Sequence, residues 1–223
     1  SQCNWKRPLY VAITVGSENF INLGDNFVQE GLANRITPFY TKSDPDLQFD
    51  ADKTYDRMMN KFKFGGLSKP GLYLDQTVLR MCDTHRRLFA QLAVALVKED
   101  KKEQAAKALA KMEKEIPEYN VPMSYMSGGG DLIKAYGALG NKKRATEIAD
   151  KLWTNSTQYL KWYISQGPRY LAVSHYDCQT HLYIMSNLLN LMDEIDSSWA
   201  EKHSAMFDQL LNTFESSGGQ LRM

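Results

Sequence analysis

The stretch AYGALGNKKRATEIADKL, residues 135–152, reads as two helical segments hinged at a glycine. Upstream of the hinge, Leu132, Ile133, Tyr136 and Leu139 recur at helical spacing, and Gly140 supplies the residue that closes a helix in the left-handed conformation. Downstream, Ala145, Ile148, Ala149 and Leu152 form the apolar face of a partner helix.

A second stretch has the same layout. LFAQLAVALVKEDKKEQAAKALAKMEKEIP, residues 88–117, takes in the end of a helix predicted over 76–98 by the spacing of Val78, Cys82, His85, Phe89, Leu92 and Leu96. EDKK breaks it. A helix over 102–115 follows, carrying Ala105, Ala108, Leu109 and Met112, with Ile116 extending that face and Pro117 ending it. Asp75 is placed to cap the first of these helices. The step from Leu96 to Ala105 is nine residues, as is the step from Tyr136 to Ala145.

Two helices meeting at a small residue, with large residues around it, resemble the tetratricopeptide repeat. In that 34-residue unit small side chains let the paired helices approach, and a late Pro ends the second helix. Phe89, Leu92, Ala93, Leu96, Ala105, Leu109, Met112 and Pro117 match its pattern, as do Leu132, Tyr136, Ala145 and Leu152. The two alanines are 40 residues apart rather than 34, so the loop 118–128 reads as an insertion. A third helix pair, 175–193 and 197–216, matches only in being a pair. Its inward residues are expected to be Cys178, Leu182, Met185, Leu189 and Met192, then Trp199, His203, Met206, Phe207, Leu210 and Phe214. An irregular helical bundle is the plainer alternative. The polar end SSGGQLRM is expected to fray.

The chain changes character near residue 50. RPLYVAITV (7–15) is compact and rich in β-branched and aromatic residues, which favours a buried strand. SENFINLG (17–24) suggests one helical turn with Ser17 as cap and Gly24 as stop, and FVQEGLANRITPFY (27–40) a second extended segment. From Ala51 the period is helical, with Tyr55, Met58, Met59 and Phe62 on one face. The fold expected is therefore mainly α. It is a tetratricopeptide-like α-α superhelix over 51–223, preceded by a small strand-containing segment, residues 1–50.

With 223 residues, 24% charged and 43% hydrophobic, the composition is that of a globular protein. A net charge of +1 argues against nucleic acid or an anionic membrane surface as the main partner, because both require a concentrated basic field. LYVAITV (9–15) falls well short of the ~20 apolar residues of a spanning helix. The start lacks both Met and an apolar signal region, so any targeting segment is expected upstream. Three widely spaced cysteines, Cys3, Cys82 and Cys178, cannot make a complete disulfide framework, and one bridge or three thiols both remain open.

The N-terminal motifs carry a second resemblance. Arg7-Pro8-Leu9-Tyr10-Val11-Ala12, Thr14-Val15, and Glu30-Gly31-Leu32-Ala33, Arg35-Ile36 and Pro38 resemble the segment after the last membrane span in a bacterial family of large multi-pass proteins, itself similar to protein O-mannosyltransferase-type glycosyltransferases. KFKFGGLSKPGLYLD, THRRLF, EIPEYNVP and STQYLKWY extend the likeness along nearly the whole chain. The resemblance implies a non-catalytic accessory domain on the periplasmic face, tethered by upstream membrane segments. Its partners would be that membrane domain and an acceptor polypeptide, glycan or other protein. It implies no cofactor and no catalytic residue within this chain.

Several constellations compete for a functional role. Tyr159, Trp162, Tyr163, Tyr170 and Tyr176 gather around Arg169, and aromatic faces beside polar groups suit sugar rings or extended peptides; packing at the end of the helical stack is the alternative. Ligand-binding candidates are thus Tyr159, Trp162, Tyr163, Arg169 and Tyr170. His175, Cys178 and His181, with Cys82 and His85, are zinc-capable types, and the His, Cys and Asp residues of 175–181 would serve a metal-dependent hydrolase. On one helix, however, the first three fan over about 120°, a poor tripod. SGGGD (127–131) could cradle an anion, but Asp131 reads more simply as a helix cap. Glu30 and Arg35 read as an internal ion pair, with a contact to the membrane domain as the functional alternative for these and Arg7. NST (155–157) fits a glycosylation sequon inside a predicted helix. A purely structural cap of the membrane domain is the remaining reading.

Overall fold

The computed structural model describes residues 4–219. Cys3 and the last four residues of the polar end lie outside them. The chain divides into two compact units, Ser1–Val121 and Pro122–Met223. Among the described residues there are eight α-helices and one three-stranded antiparallel sheet near the N-terminus, so the fold is mainly α with a small strand segment, as the sequence predicts.

In the first unit the strands are β1 (Tyr10–Ala12), β2 (Phe27–Gln29) and β3 (Ala33–Ile36), in the order β1-β3-β2. The segment 27–40 is therefore not one extended piece. It folds as a hairpin through Gly31 and Leu32, and Gly31 takes φ +79°, the positive angle that a two-residue hairpin turn demands at its first position. The expected buried strand at 7–15 is also corrected. It is three residues long, holds the open edge of the sheet, and leaves Leu9 and Tyr10 exposed, because only β3 pairs with it. Ser17 caps nothing. Residues Ser17–Asn19 make a 3-10 turn that starts after Gly16, and Gly24 opens a second such turn instead of ending the first.

Helix α1 (Ala51–Asp56) is capped by Asp50, whose side chain accepts from the Lys53 amide. It continues into a wider π turn, Arg57–Lys61, closed by the Phe62 amide on the Arg57 carbonyl. The buried face is Ala51, Thr54 and Met58, at ordinary helical spacing; Tyr55, Met59 and Phe62 are half-buried. Helices α2 (Gln76–Lys98) and α3 (Lys102–Glu115) have the predicted bounds. The Asp75 carboxylate caps α2 by accepting from the Thr77 and Val78 amides. Phe89, Leu92, Leu96, Ala105, Ala108, Leu109 and Met112 are buried between them, whereas Val78, in the first turn, is exposed. Arg86 is fully buried, a position the apolar spacing does not foresee. Its guanidinium donates to the carbonyls of Ile116 and Val121, at 3.1 and 2.6 Å, and so ties down the chain after α3.

The second unit opens with a π turn, Tyr125–Gly129, capped by Ser124 and Ser127 in a reciprocal pair, and leads into α4 (Gly130–Ala138). Asp131 is thus inside the first turn and is not the cap. Gly129 is where α5 (Lys142–Ser165) crosses: a methyl group there would come within 2.7 Å of Leu152 Cδ1 and 3.0 Å of the Ser124 carbonyl. The glycine run serves close packing. Helix α5 is far longer than a short partner helix and carries the sequon inside it, with Ser156 buried. A short α6 (Pro168–Val173) follows, then α7 (His175–Asp193) and α8 (Ser197–Ser216). In α7, Leu188 rather than Leu189 is fully buried; in α8, Met206 is exposed and Phe207 half-buried.

Candidate functional site

Two turns fix the helix pairs. Beyond α2 the Lys101 amide donates back to the Leu96 carbonyl and the Asp100 amide to Val97. Beyond α4 the Asn141 amide donates to Tyr136 and the Gly140 amide to Gly137. Both are Schellman closures around a left-handed residue, Asp100 at φ +59° and Gly140 at φ +76°.

Within the second unit the partners of each helix give directions. Ser156 and Tyr159 of α5 meet His181 of α7, and the Tyr163 hydroxyl donates to Asp177 at 3.1 Å, so α5 and α7 run antiparallel. The Trp199 indole of α8 donates to Asp150 of α5 at 2.7 Å, and Trp153 meets His203 edge-on at 4.8 Å, so α5 and α8 run parallel. Helix α7 also packs on α4.

The aromatic candidates fall at the C-terminal end of α5, on α6 and at the start of α7. Tyr159, Trp162, Tyr170 and Tyr176 are 53%, 56%, 60% and 74% exposed. Tyr163 is half-buried and touches Trp162 edge-on at 4.9 Å; Arg169 is exposed on α6. Tyr159 is stacked on the His181 ring at 4.8 Å. Burial holds His181 below the ordinary imidazole range, against the weaker pull of Asp177, so a neutral ring faces Tyr159. Tyr183, also exposed, extends the aromatic character along the outer face of α7.

The zinc-capable residues have other roles. Cys178 is buried and His175 Nδ1 is 3.3 Å from the Ala172 carbonyl. Cys82 and Cys178 are free thiols, and burial raises the pKa of both, which keeps them protonated. Among the described residues no cluster of three or more His, Cys, Asp or Glu could hold a metal ion.

A groove that the sequence reading did not anticipate runs between α5 and α8, with Met185 of α7 also lining it. It has a volume of about 230 Å³, with Trp153, Thr157, Lys161 and Ile164 on one wall and Met206, Gln209, Leu210 and Thr213 on the other. The four α5 residues form a second stripe, displaced about 125° from the Ala145–Leu152 face. That out-of-phase stripe was the available signal. The indole Nε1 of Trp153 and the Thr157 hydroxyl are buried and have no hydrogen-bond partner among the described residues, an arrangement that costs about 1–3 kcal/mol per group.

In the first unit the motif residues converge on Glu30, which is 1% exposed. Its carboxylate accepts from Tyr10 (2.9 Å), Lys53 (2.8 Å) and Arg57 (2.8 Å), and Arg35 Nε lies 2.6 Å away. Burial alone would push this carboxyl up, but the hydrogen bonds from Lys53 and Tyr10 and the charges of Lys53 and Arg35 outweigh it and leave it below the usual range. The internal pairing of Glu30 with Arg35 is thus present, within a larger hub; Arg7 is exposed outside it.

Residues 1–57 match the family model of TMEM260-associated domain 2. The match covers 57 of the 223 residues and links the N-terminal block to the TMEM260 family. All five members of the hub, from Tyr10 to Arg57, fall within it. Comparison with curated proteins and with solved structures gives no match. Among the described residues no helix is long and apolar enough to cross a membrane.

Proposed function

We propose that this chain is a non-catalytic accessory domain of a membrane-bound glycosyltransferase-like protein, held on the periplasmic side. In this reading tetratricopeptide-like helix pairs present the aromatic surface of Tyr159, Trp162, Tyr163, Arg169 and Tyr170 to acceptor polypeptide or glycan. The family match over the hub supports the glycosyltransferase link. The repeated Schellman closure, and the parallel run of α5 and α8 with α7 packed against both, support the repeat-like pairing. The observation that carries the binding role is the exposure of four large aromatic side chains over α5, α6 and the start of α7. A surface tryptophan and neighbouring tyrosines offer flat apolar area with polar edges, the chemistry that sugar rings and extended peptides use.

The N-terminal unit supplies a second exposed apolar set, with Ile21, Phe39 and Tyr40 at 84%, 71% and 57% exposure, and this is the side proposed to meet the membrane portion. The test of the binding role is a titration of the chain with a Ser/Thr-rich peptide and with soluble oligosaccharides. Wild type is expected to bind one of them, and a Trp162→Ala/Tyr170→Ala variant to lose most of that affinity. Equal affinity in the variant, or no binding by wild type, removes the proposal.

A further inference from the structure

The groove between α5 and α8 goes beyond the surface just described, since Trp162 sits about 145° around α5 from it. Its α5 wall is a ladder of hydrogen-bond donors one helical turn apart. It comprises the Trp153 indole, which can only donate, the Thr157 hydroxyl, and the Lys161 ammonium, which can only donate. The ladder from Trp153 to Lys161 spans about 12 Å along the helix. The indole Nε1 and the threonine hydroxyl are both unpaired and buried, and Trp153 itself is only 4% exposed. Lys161 forms no ion pair among the described residues, and no acidic residue lines the groove. Ile164, Met185, Met206 and Leu210 make the apolar part of the lining, with the uncharged polar side chains of Gln209 and Thr213 on the α8 wall.

Native proteins rarely leave a buried indole N–H and a buried hydroxyl both unpaired beside open space. An unpaired buried hydroxyl beside an unneutralised cation, with flexible methionine walls, describes an absent partner. It would be anionic at one end and aliphatic along its flank. We propose that the α5–α8 groove is a binding site for a small aliphatic carboxylate, with the carboxylate held by Lys161 and Thr157 and the chain lying over Met206 and Leu210. A dry cavity of about 150 Å³ accepts benzene, so about 230 Å³ corresponds to about nine or ten heavy atoms. Octanoate is of that size.

Indole N–H resonances of the 223-residue chain, which has four tryptophans, read the site directly. Octanoate is expected to move the Trp153 resonance, leave Trp162 in place, and bind with a Kd below roughly 1 mM. Octanol, with the same chain and no charge, is expected to bind at least about tenfold more weakly, and Lys161→Gln to weaken octanoate by a similar factor. Both Lys161 and Met206 are exposed, so their variants should fold; Met206→Trp fills the groove and is expected to abolish the shift. A Trp153 resonance unmoved by millimolar octanoate overturns the proposal. So does octanol binding as tightly as octanoate, or Lys161→Gln or Met206→Trp binding octanoate like wild type. A Trp162→Ala variant that binds octanoate normally but no longer binds peptide or glycan keeps this site separate from the aromatic surface.

Discussion

Ala105 and Ala145 hold the same place in two different helix pairs. Each donates its amide to the carbonyl four residues back, Lys101 and Asn141 respectively, at 3.1 Å in both cases, and each is fully buried. Nine residues earlier, Leu96 and Tyr136 accept the closing bond of the preceding turn at 2.8 Å in both. The two pairs share a joint whose small residue is fixed by packing. Enlarging Ala105 or Ala145 to leucine is expected to cost about 1–3 kcal/mol in chemical denaturation, while Ala106→Leu, on the exposed face of α3, is expected to be near neutral.

The joint also predicts opposite effects at its left-handed residue. Asp100 holds φ +59° where Gly140 holds φ +76°. Asp100→Gly is expected to raise stability by up to about 1 kcal/mol, and Gly140→Ala to lower it by about 1 kcal/mol. Thermal melts of both variants check the pair.

Ile21 is a β-branched residue at φ +50° with 84% of its surface exposed. A side chain of that shape is strained there and has little packing to offset it. Ile21→Asn is expected to stabilise the chain by about 1 kcal/mol, read from the denaturation midpoint.

Gly129 is needed for approach rather than for its angle. Gly129→Ala places a methyl group against Leu152 and the Ser124 carbonyl, with an expected loss of about 1–3 kcal/mol. Adding Leu152→Val should recover part of that loss, a coupling that a double-mutant cycle detects.

Glu30 gives the pH dependence its sign. Its carboxyl titrates lower in the folded chain than in the unfolded one. The hub's contribution is therefore complete above the ordinary carboxylate range near pH 4.3–4.5 and is lost as pH falls through the lowered folded value. Three cations and one tyrosine hydroxyl would be left around an uncharged or missing side chain. Glu30→Gln is expected to destabilise by about 3 kcal/mol at neutral pH and to flatten the acid limb of the stability curve. Denaturation at pH 7 and in the acid range measures both.

The helical part was legible because its residues obey one rule at a time. Asp75, the break at Glu99–Lys102 and the buried alanines follow local capping and 3.6-residue spacing. The errors came where tertiary contacts decide. The 7–15 segment looks like a buried strand until it is known to pair on one side only. Residues 51–62 bury Thr54 beside Met58 in place of Tyr55, because the Thr54 hydroxyl accepts from the Gly31 amide of the hairpin. Arg86 is a buried charge justified by carbonyls far away in sequence, and the legible Glu30–Arg35 pair is joined by Lys53 and Arg57 from beyond the sheet. The aromatic residues could be read as a cluster, but the α5–α8 groove could not, since its far wall is contributed by a helix about fifty residues later.

The account's central claim is that the aromatic surface recognises a ligand while the helices behind it hold that surface in place. Its most direct test follows the indole N–H resonances of Trp5, Trp153, Trp162 and Trp199 during titration with a Ser/Thr-rich peptide and with soluble oligosaccharides. Movement of Trp162, saturating with added ligand while Trp199 stays fixed in its bond to Asp150, is the predicted result. A Trp162 resonance that stays still throughout, or a response confined to Trp5, would contradict it.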